Sequence, residues 1–257
     1  MYNFIKETKQ KGNFMSICLT QTSHIGSNKF GFISSANLVQ TLENKGLKLA
    51  DVVESRIRKN KEKRLGFQKH VMRFNTGVSN NQGNLQLLAI NSHEGSSALT
   101  FRLGFFRMVC SNGLIVGSDL VPQIKVRHTS NGLLKLDDAI EEAMEYQTAA
   151  KISIEKMQDT KVNAETFEKL GKEILKLRLG EKYSENLVPL FESKRWEDNK
   201  EDLFSVFNVM QENVIRTGFH VYDRENNTYR KIRAIKGVES SMVLNNVMFN
   251  EALKLAA

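Results

Sequence analysis

The segment from residue 90 to residue 113, INSHEGSSALTFRLGFFRMVCSNG, gathers side chains used in catalysis around one apolar run. A histidine can act as a general base, a cysteine as a nucleophile, and an arginine can stabilise developing negative charge. The candidate set consists of Asn91, His93, Glu94, Arg107, Cys110 and Asn112, with His128 further along the chain. In one pocket, this set would make an enzyme acting on nucleic acid or a nucleotide. The same residue types also satisfy turn backbones in an ordinary sheet, so a structural role stays open.

No familiar catalytic motif accompanies the candidate set. The sequence contains no GxxxxGK[ST], no GxGxxG, no HExxH and no GxSxG. Its two cysteines, Cys18 and Cys110, lie far apart without CxxC spacing, and its five histidines are isolated from one another. Structural zinc needs such ligands close together. We therefore expect no metal and no cofactor, and an enzyme is the less favoured interpretation.

Positive charge is concentrated in two stretches of the sequence. The chain has 37 Lys and Arg residues against 29 Asp and Glu, a formal net charge of +8 at pH 7. The stretch 56–73 holds eight basic residues and one acid, and the stretch 224–236 holds five basic residues and one acid. By contrast, the run 137–145 has five acids and no base. Charge separated in this way favours a polyanionic partner, most often nucleic acid.

Contact with phosphates is the predicted role of these basic residues. For the central run RKNKEKR, residues 58–64, a solvated loop without specific contacts is an equally open interpretation. Aromatic residues such as Phe67, Phe74 or Tyr229 could stack on bases, although aromatics more often lie in a core. The predicted nucleic-acid-binding residues are Arg56, Arg58, Lys59, Lys61, Lys63, Arg64, Lys69, Arg73, Arg102, Lys125, Arg127, Arg230, Lys231 and Arg233.

The elements that must position these residues follow from periodicity and turn residues. Short apolar runs bounded by Gly, Asn and Ser predict strands over residues 13–33, 66–77, 85–90 and 98–107. A helix is predicted from Ser34 or Ser35 to Asn44, because a serine can cap its start and Gly46 can end it. From Leu134 the apolar period changes to about 3.6, which predicts helices.

The second half of the sequence is predicted to be mainly helical. One long helix carries the apolar stripe from Leu136 to Met157, a second begins after Asn163, and a third follows Pro189. A hairpin is predicted over 218–235, followed by a last helix. The fold class is thus α+β, with an N-terminal antiparallel β-sheet and a helix, then a mainly helical half that carries a basic β-hairpin. We expect one compact domain, 1–257, with a soft division near residue 133.

Side-chain parity predicts which way each strand residue points. Along 98–107 the apolar residues at odd positions share one face, which we expect to be core, whereas Arg102 points to the opposite face. In QIKVRH, Lys125 and Arg127 share the outer face and extend a basic surface. His128 has the parity of the apolar residues and is predicted to lie in or beside the core.

We expect neither a membrane span nor a secretory signal in this sequence. No stretch approaches the roughly 20 consecutive apolar residues that a spanning helix requires. Lysines are scattered through the first residues, where a signal peptide needs an uninterrupted apolar segment. We expect a cytoplasmic protein without membrane contact.

Several motifs resemble those of one protein family. The run NSHEGSSALTFRLGFFRMVCSNGLIV, followed by KVRHTSNG, is similar to the NSHDGSSA-, FRLVCSNG- and VRH-type segments of a family of uncharacterised phage and plasmid proteins, domain of unknown function 932. Further segments resemble it as well: GFQKHVMRF, DLFSVFNVMQENVIRTG and RKIRAIKGVESSMVLNNVMFNEA. The similarity spans roughly residues 56–255. Glu94 stands where the family usually has aspartate, and Met108 where it often has leucine.

The resemblance implies a mobile-element protein in a bacterial host cell and brings no settled activity with it. Small basic α+β proteins without ATPase motifs often handle single-stranded DNA in that setting. Phage single-strand annealing proteins, for example, form homo-oligomers, need no ATP and track the nucleic-acid backbone along a basic groove. We expect a protein that binds and anneals single-stranded DNA, in preference to duplex, during recombination or replication. Two alternatives stay open, an enzyme built on the candidate set and an anti-defence or host-takeover factor that binds another protein.

Overall fold

The computed structural model describes residues 15–18, 29–55, 57, 65–80, 83–107, 113–115, 121–183, 185–194, 196–198, 201–235 and 238–256. These residues form two compact units. Unit 1 comprises the described residues of Met1–Met108 and Gln123–Gln147, and unit 2 comprises those of Val109–Pro122 and Thr148–Ala257. That the whole chain acts as one domain stays a prediction.

Both units mix helices with strands, as the α+β prediction requires. In chain order the described elements are α1 (Met15–Cys18), α2 (Ser35–Asn44), β1 (Lys48–Glu54), β2 (His70–Asn80), β3 (Gly83–Asn91), β4 (Leu99–Arg107), β5 (Gly113–Ile115), β6 (Ile124–Val126), α3 (Ser130–Leu134), α4 (Leu136–Glu145), α5 (Gln147–Asp159), α6 (Ala164–Leu179), α7 (Leu203–Gln211), β7 (Phe219–Asp223), β8 (Thr228–Ile232) and α8 (Val238–Leu255). Short 3₁₀ turns cover Glu181–Tyr183, Val188–Leu190 and Trp196–Asp198, and a π-helical segment, Glu212–Thr217, follows α7.

The core of unit 1 is an antiparallel sheet. Strands β1 to β4 pair in sequence order, and β6 pairs with β4. Met72, Ala89, Phe101 and Ile124 lie opposite one another in register and form a buried row across four strands. The apolar residues at odd positions of β4 are buried with them, which confirms the prediction from parity.

Helices α2 and α4 cover the apolar face of this sheet. Ser34 caps α2 by accepting a hydrogen bond from the Asn37 backbone N–H at 3.3 Å, and α2 packs beside β1. Helix α4 contacts β4 and β6 and buries Ile140. An ion pair between Lys45 and Glu141, 2.9 Å long, links the two helices.

The predicted long helix over 136–157 is wrong in one respect, because it is interrupted at Tyr146. The chain forms α4 up to Glu145 and α5 from Gln147. The boundary between the two units falls at this point, so the two helices bury their apolar stripes in different cores. The spacing of apolar residues cannot distinguish one continuous helix from two consecutive helices whose apolar residues keep the same period.

Unit 2 is built from helices and one hairpin. Asn163 caps α6 by accepting from the Thr166 backbone N–H at 2.8 Å, and Gly180 ends that helix, as the sequence predicts. Helices α7 and α8 pack through Phe207 and Phe249, whose ring centroids are 6.1 Å apart. Strands β7 and β8 form the predicted antiparallel hairpin. Within the described part of the chain, no helix is both long and apolar enough to cross a bilayer.

Candidate functional site

A row of polar residues closes one end of the apolar face of the unit 1 sheet. Glu54, His70 and Asn91 lie opposite one another on β1, β2 and β3. His70 has the same parity as Met72, so its side chain points into the core rather than toward solvent. The end of the sheet therefore brings a carboxylate, an imidazole and an amide beneath the start of α2.

Three buried polar side chains contact the hydroxyl group of a fourth residue, Ser35. Ser35, the first residue of α2, places its Oγ 2.7 Å from His70 Nε2 and 3.0 Å from His93 Nε2. Asn91 Nδ2 donates to the same oxygen at 2.9 Å and to the backbone carbonyl of Ile33 at 3.0 Å. Ser35, His70, Asn91 and His93, hereafter the serine–histidine cluster, all have 0% exposure.

Burial and hydrogen-bond geometry together fix the protons of this cluster. Burial lowers the pKa of His70, and burial together with the neighbouring His70 and His128 lowers the pKa of His93 to about 3. Both rings are thus neutral at pH 7. His70 Nδ1 contacts the carbonyl of Gln68 at 3.0 Å; since a carbonyl can only accept, Nδ1 carries the proton and Nε2 is an acceptor.

The hydroxyl of Ser35 consequently donates to His70 Nε2. Its two lone pairs are then left for the N–H groups of Asn91 and His93, so His93 carries its proton on Nε2. His93 Nδ1 remains a bare acceptor, buried and without a hydrogen-bond partner among the described residues.

This arrangement resembles a serine–base pair, but its chemistry differs. A nucleophilic serine needs a free lone pair directed at a substrate. Ser35 has both lone pairs occupied by donors and no solvent exposure. The cluster therefore acts structurally, fastening the first turn of α2 to β2 and to the end of β3.

The hydrogen-bond network extends from His70 through Gln68 and Glu54 to Ser16 in α1. The side chain of Gln68 accepts from the Gly66 backbone N–H at 2.7 Å and donates to Glu54 at 3.1 Å. Glu54 in turn accepts from the Ser16 backbone N–H at 3.0 Å and from the Ser16 hydroxyl. These contacts satisfy the half-buried carboxylate without a basic side chain.

Of the remaining residues in the predicted catalytic set, the structure describes the side chains of Glu94 and His128. His128 lies beside the core, as its parity predicts, and stacks on Phe30 with ring centroids 5.2 Å apart. Glu94 is half-buried in the turn after β3. The side chain of Arg107 and the whole of Cys110 and Asn112 fall outside the described residues.

Two members of the cluster, Ser35 and His70, are absent from the sequence-derived candidate set. The parity of β2 could have identified His70, because it lies on the same face of the strand as Met72 and Phe74, which are buried. Ser35 is harder to find, since the sequence offers either Ser34 or Ser35 as the helix cap. In the structure Ser34 is the helix cap, and the side chain of Ser35 is buried in the core.

Glycines in and near the VRHTSNG motif allow close backbone contacts. A Cβ on Gly132 would lie 1.9 Å from the Arg127 carbonyl oxygen, and one on Gly31 would lie 2.7 Å from the Thr129 carbonyl carbon. The Gly31 backbone N–H donates to the carbonyl of His128 at 2.8 Å. This motif therefore holds two chain segments against each other, and packing alone accounts for its glycines.

The predicted nucleic-acid-binding residues divide between several surfaces. Arg73 forms an ion pair with Asp51 across β1 and β2 and lies 4.5 Å from the ring centroid of Phe106. Lys69 is half-buried just before β2. The following predicted residues lie outside the described part of the chain: Arg56, Arg58, Lys59, Lys61, Lys63 and Arg64.

A basic patch lies on the outer face of the sheet in unit 1. Lys125 and Arg127 are exposed there while Ile124 and Val126 are buried, which confirms their predicted parity. Arg102 points the same way from β4 and donates from Nη2 to the side-chain oxygen of Gln123. We name Arg102, Gln123, Lys125 and Arg127 the β6 face.

A second basic patch covers the hairpin of unit 2. His220 lies opposite Lys231, and Tyr222 lies opposite Tyr229, so that these four side chains share one face. Tyr222 and Tyr229 are 36% and 72% exposed, with ring centroids 5.3 Å apart. We name these four residues the hairpin patch. Of the other aromatics predicted to stack on bases, Phe74 is fully buried and Phe67 half-buried.

Polar contacts from Lys182 and Asn186 hold the hairpin in place. The Asn186 side chain accepts from the Tyr222 backbone N–H at 2.7 Å and donates to its carbonyl at 3.3 Å. Lys182 lies 3.0 Å from Asp223 and 2.5 Å from Glu225. Hydrogen bonds from Asn226 and Lys182 hold the pKa of Asp223 below its usual value. Both acids of the turn therefore contact a lysine, and their charge is offset locally.

Metal binding has no support in the described residues, where no three His, Cys, Asp or Glu side chains lie close enough together to hold an ion.

A family model matches most of the sequence. It is the domain of unknown function DUF932, and it covers residues 24–245. The chain belongs to this family. The match includes α2, the serine–histidine cluster and the hairpin patch, so each is part of the DUF932 domain.

Among the curated relatives that match the sequence, two have the same sequence identity to it. The DUF932 chain is 24% identical over 229 residues to the UPF0380 protein YfjQ of Escherichia coli K12, covering 87% of this chain and 81% of that protein. The UPF0380 protein YafZ of the same strain matches with the same identity and coverage. No solved structure matches this DUF932 domain.

Proposed function

We propose that this protein binds single-stranded nucleic acid through the hairpin patch of unit 2. The observation that carries the proposal is the exposure of Tyr229, 72%, on the same face of the hairpin as Lys231. Large aromatic side chains are usually buried to a greater extent than this. An exposed tyrosine next to arginine and lysine is the combination with which single-strand-binding proteins stack bases and neutralise phosphates.

The aromatic pair supports a preference for single strands. A base in a duplex is stacked on its neighbours and presents only its edges, whereas an unpaired base can place its face on a tyrosine ring. Each such contact contributes about 1–3 kcal/mol and tolerates any base. Tyr222 and Tyr229 lie opposite each other on neighbouring strands, so the patch offers two rings without rearrangement of the backbone.

Electrostatics supports a phosphate-containing partner for the same patch. Lys231 belongs to the patch, and Arg224 and Arg233 are exposed in the turn and just after β8. Arg230 is exposed as well, but it lies opposite Val221 on the other face of the hairpin. The two acids of the turn, Asp223 and Glu225, contact Lys182 and therefore contribute little negative charge to this surface. The excess of positive charge attracts a polyanion and releases its counterions on binding.

The biological role that we propose for this binding is ATP-independent annealing of single-stranded DNA during recombination or replication of a phage or other mobile element. The support is the motif resemblance described above together with the basic charge and the absence of a P-loop sequence.

A fluorescence-anisotropy titration tests the proposal. The purified chain is titrated against a labelled single-stranded oligonucleotide and the matching duplex over a salt series. We expect tighter binding to the single strand, with log affinity falling by about 0.7 per neutralised phosphate for each log unit of salt. Absence of binding at low salt, or equal affinity for both forms, would contradict the proposal.

A further inference from the structure

We propose that the β6 face of unit 1 is a second nucleic-acid site, one that contacts backbone phosphates and does not distinguish single strands from duplex. This inference rests on the proposed function, because it assigns a second segment of the same kind of ligand. It concerns residues of unit 1 only, whereas the hairpin patch belongs entirely to unit 2.

The spacing of donors on the β6 face suits an extended phosphate backbone. Gln123, Lys125 and Arg127 are all exposed and follow one another at alternate positions. Alternate residues of a strand point to the same side and lie about 6.6 Å apart. Arg102 adds a guanidinium from the neighbouring strand and donates to Gln123. Three cationic side chains thus line one strip of the surface.

Charge is distributed unequally over the two sides of unit 1. Since Ile124 and Val126 are buried while Lys125 is exposed, α4 covers the apolar side of β6 and leaves the β6 face open. The exposed acids of α4 therefore lie on the side away from the β6 face: Asp137, Asp138, Glu141, Glu142 and Glu145. Among the described residues, no carboxylate pairs with Lys125 or Arg127. A polyanion is accordingly attracted to one side of this unit.

The β6 face lacks the means to select unpaired bases. It contains no aromatic side chain, and the nearest aromatic of the same parity on β4 is Phe106. Phe106 is half-buried and already lies beneath the guanidinium of Arg73, at 4.5 Å. Binding there depends on phosphates alone, which single strands and duplexes both present.

Two separate sites allow one chain to hold two nucleic-acid segments at once. The hairpin patch would hold an unpaired strand by stacking, while the β6 face would hold a second strand or the duplex product by its phosphates. Holding two segments on one molecule raises their effective concentration for pairing.

The test compares two double variants with a matched charge control. Lys125→Glu/Arg127→Glu reverses two charges on the β6 face, Tyr222→Ala/Tyr229→Ala removes the rings of the hairpin patch, and Lys156→Glu/Lys169→Glu reverses two exposed charges elsewhere in the chain. Thermal unfolding first establishes that each variant is folded. Each is then titrated with single-stranded and duplex oligonucleotides at low salt.

We expect Lys125→Glu/Arg127→Glu to lose about tenfold or more in duplex affinity relative to the charge control and to keep a preference for single strands. The tyrosine variant should lose that preference and keep its duplex affinity. A two-colour assay, with energy transfer between a labelled single strand and a labelled duplex of unrelated sequence, should give a signal with the parent chain and none with either variant.

The outcomes separate the two proposals. If the parent chain binds no nucleic acid, the proposed function fails and this inference fails with it. If the parent chain binds but the β6-face variant matches the charge control for both oligonucleotides, only the second site is overturned.

Discussion

The hydroxyl oxygen of Ser35 lies 2.7 Å from His70 Nε2, and this contact determines the proton positions of four buried side chains. His70 must accept, because its other nitrogen donates to the Gln68 carbonyl. Asn91 and His93 must then donate to Ser35. A buried network in which every bond direction is fixed stabilises one arrangement of α2 on the sheet and disfavours others.

Acid should destabilise the folded chain through this network. The unfolded histidine has a pKa near 6.5, whereas burial lowers the pKa of His93 to about 3 and lowers that of His70. Below pH 6.5 the unfolded state therefore binds protons that the folded state does not. Between pH 6.5 and the folded pKa of His93, this histidine lowers the free energy of unfolding by about 1.4 kcal/mol per pH unit, which is a loss of about 2 kcal/mol at pH 5. His70 acts in the same direction.

Urea denaturation at pH 7.5 and pH 5.0 measures this effect. The titratable groups that act on His93 are His70 and His128, and Glu54 acts on His70. The change in the free energy of unfolding between the two pH values is compared for the parent and His93→Asn. Contributions from titratable groups that both proteins share cancel in the difference. His220→Asn, which changes an exposed histidine of the hairpin, is the control and should keep the parent's pH dependence. An unchanged pH dependence in His93→Asn would show that the ring is protonated or exposed in the folded chain.

Ser35→Ala should destabilise the chain by about 3 kcal/mol, because it leaves buried groups of His70, His93 and Asn91 without partners. The measurement is the free energy of unfolding at pH 7.5. Ser34→Ala is the matched control, since it removes only the cap of the same helix and should cost about 1 kcal/mol. Equal losses for the two variants would indicate that the cluster contributes no more than a single cap.

Gly132→Ala should destabilise the chain by about 3 kcal/mol, because the added methyl group would lie 1.9 Å from the Arg127 carbonyl oxygen. Gly46→Ala is the comparison: Gly46 has φ +89° but no atom within 4 Å of an added Cβ, so the cost there is backbone strain of about 1–2 kcal/mol. Thermal unfolding ranks the two. A smaller loss at Gly132 than at Gly46 would mean that the chain segment near Arg127 moves away freely.

Tyr229→Ala should weaken binding to a single-stranded oligonucleotide by about 5- to 150-fold, since a stacked base contributes about 1–3 kcal/mol and each 1.4 kcal/mol corresponds to a tenfold change. Tyr229→Phe keeps the ring and should bind as the parent does. Trp196→Ala removes another exposed aromatic, 80% exposed on a different element, and should leave affinity unchanged. Anisotropy titrations at one salt concentration give all three values. Equal losses for Tyr229→Ala and Tyr229→Phe would shift the role of Tyr229 from its ring to its hydroxyl.

Much of the architecture could be predicted because it depends on local periodicity. The start and end of α2 follow from its serine and glycine neighbours, and the hairpin of β7 and β8 follows from its turn. The parity of β6 correctly separated Lys125 and Arg127 from the buried residues between them. The interruption at Tyr146 was missed, because it depends on which core each half of the helical stripe enters.

Exposure of the aromatic residues shows the limit of periodicity. The sequence offers Phe67, Phe74 and Tyr229 as equivalent candidates for stacking. Phe74 is buried because the face of β2 on which it lies is the one that the helices cover, while Tyr229 lies on the uncovered face of the hairpin. Alternation divides a strand into two faces but does not say which face another element will cover.

The sequence by itself predicted most of the helices and strands, the two faces of β4 and β6, and the separation of charge, because each depends on residues close together in the chain. It did not predict β1, and it predicted strands over residues 13–33, where Met15–Cys18 is helical. Only the tertiary structure decided that Ser35, His70 and His93 share one hydroxyl, since they come from the start of a helix, the start of a strand and a turn. Their meeting depends on strand register and on which serine caps α2. Those are set by the packing of the whole unit rather than by local preference.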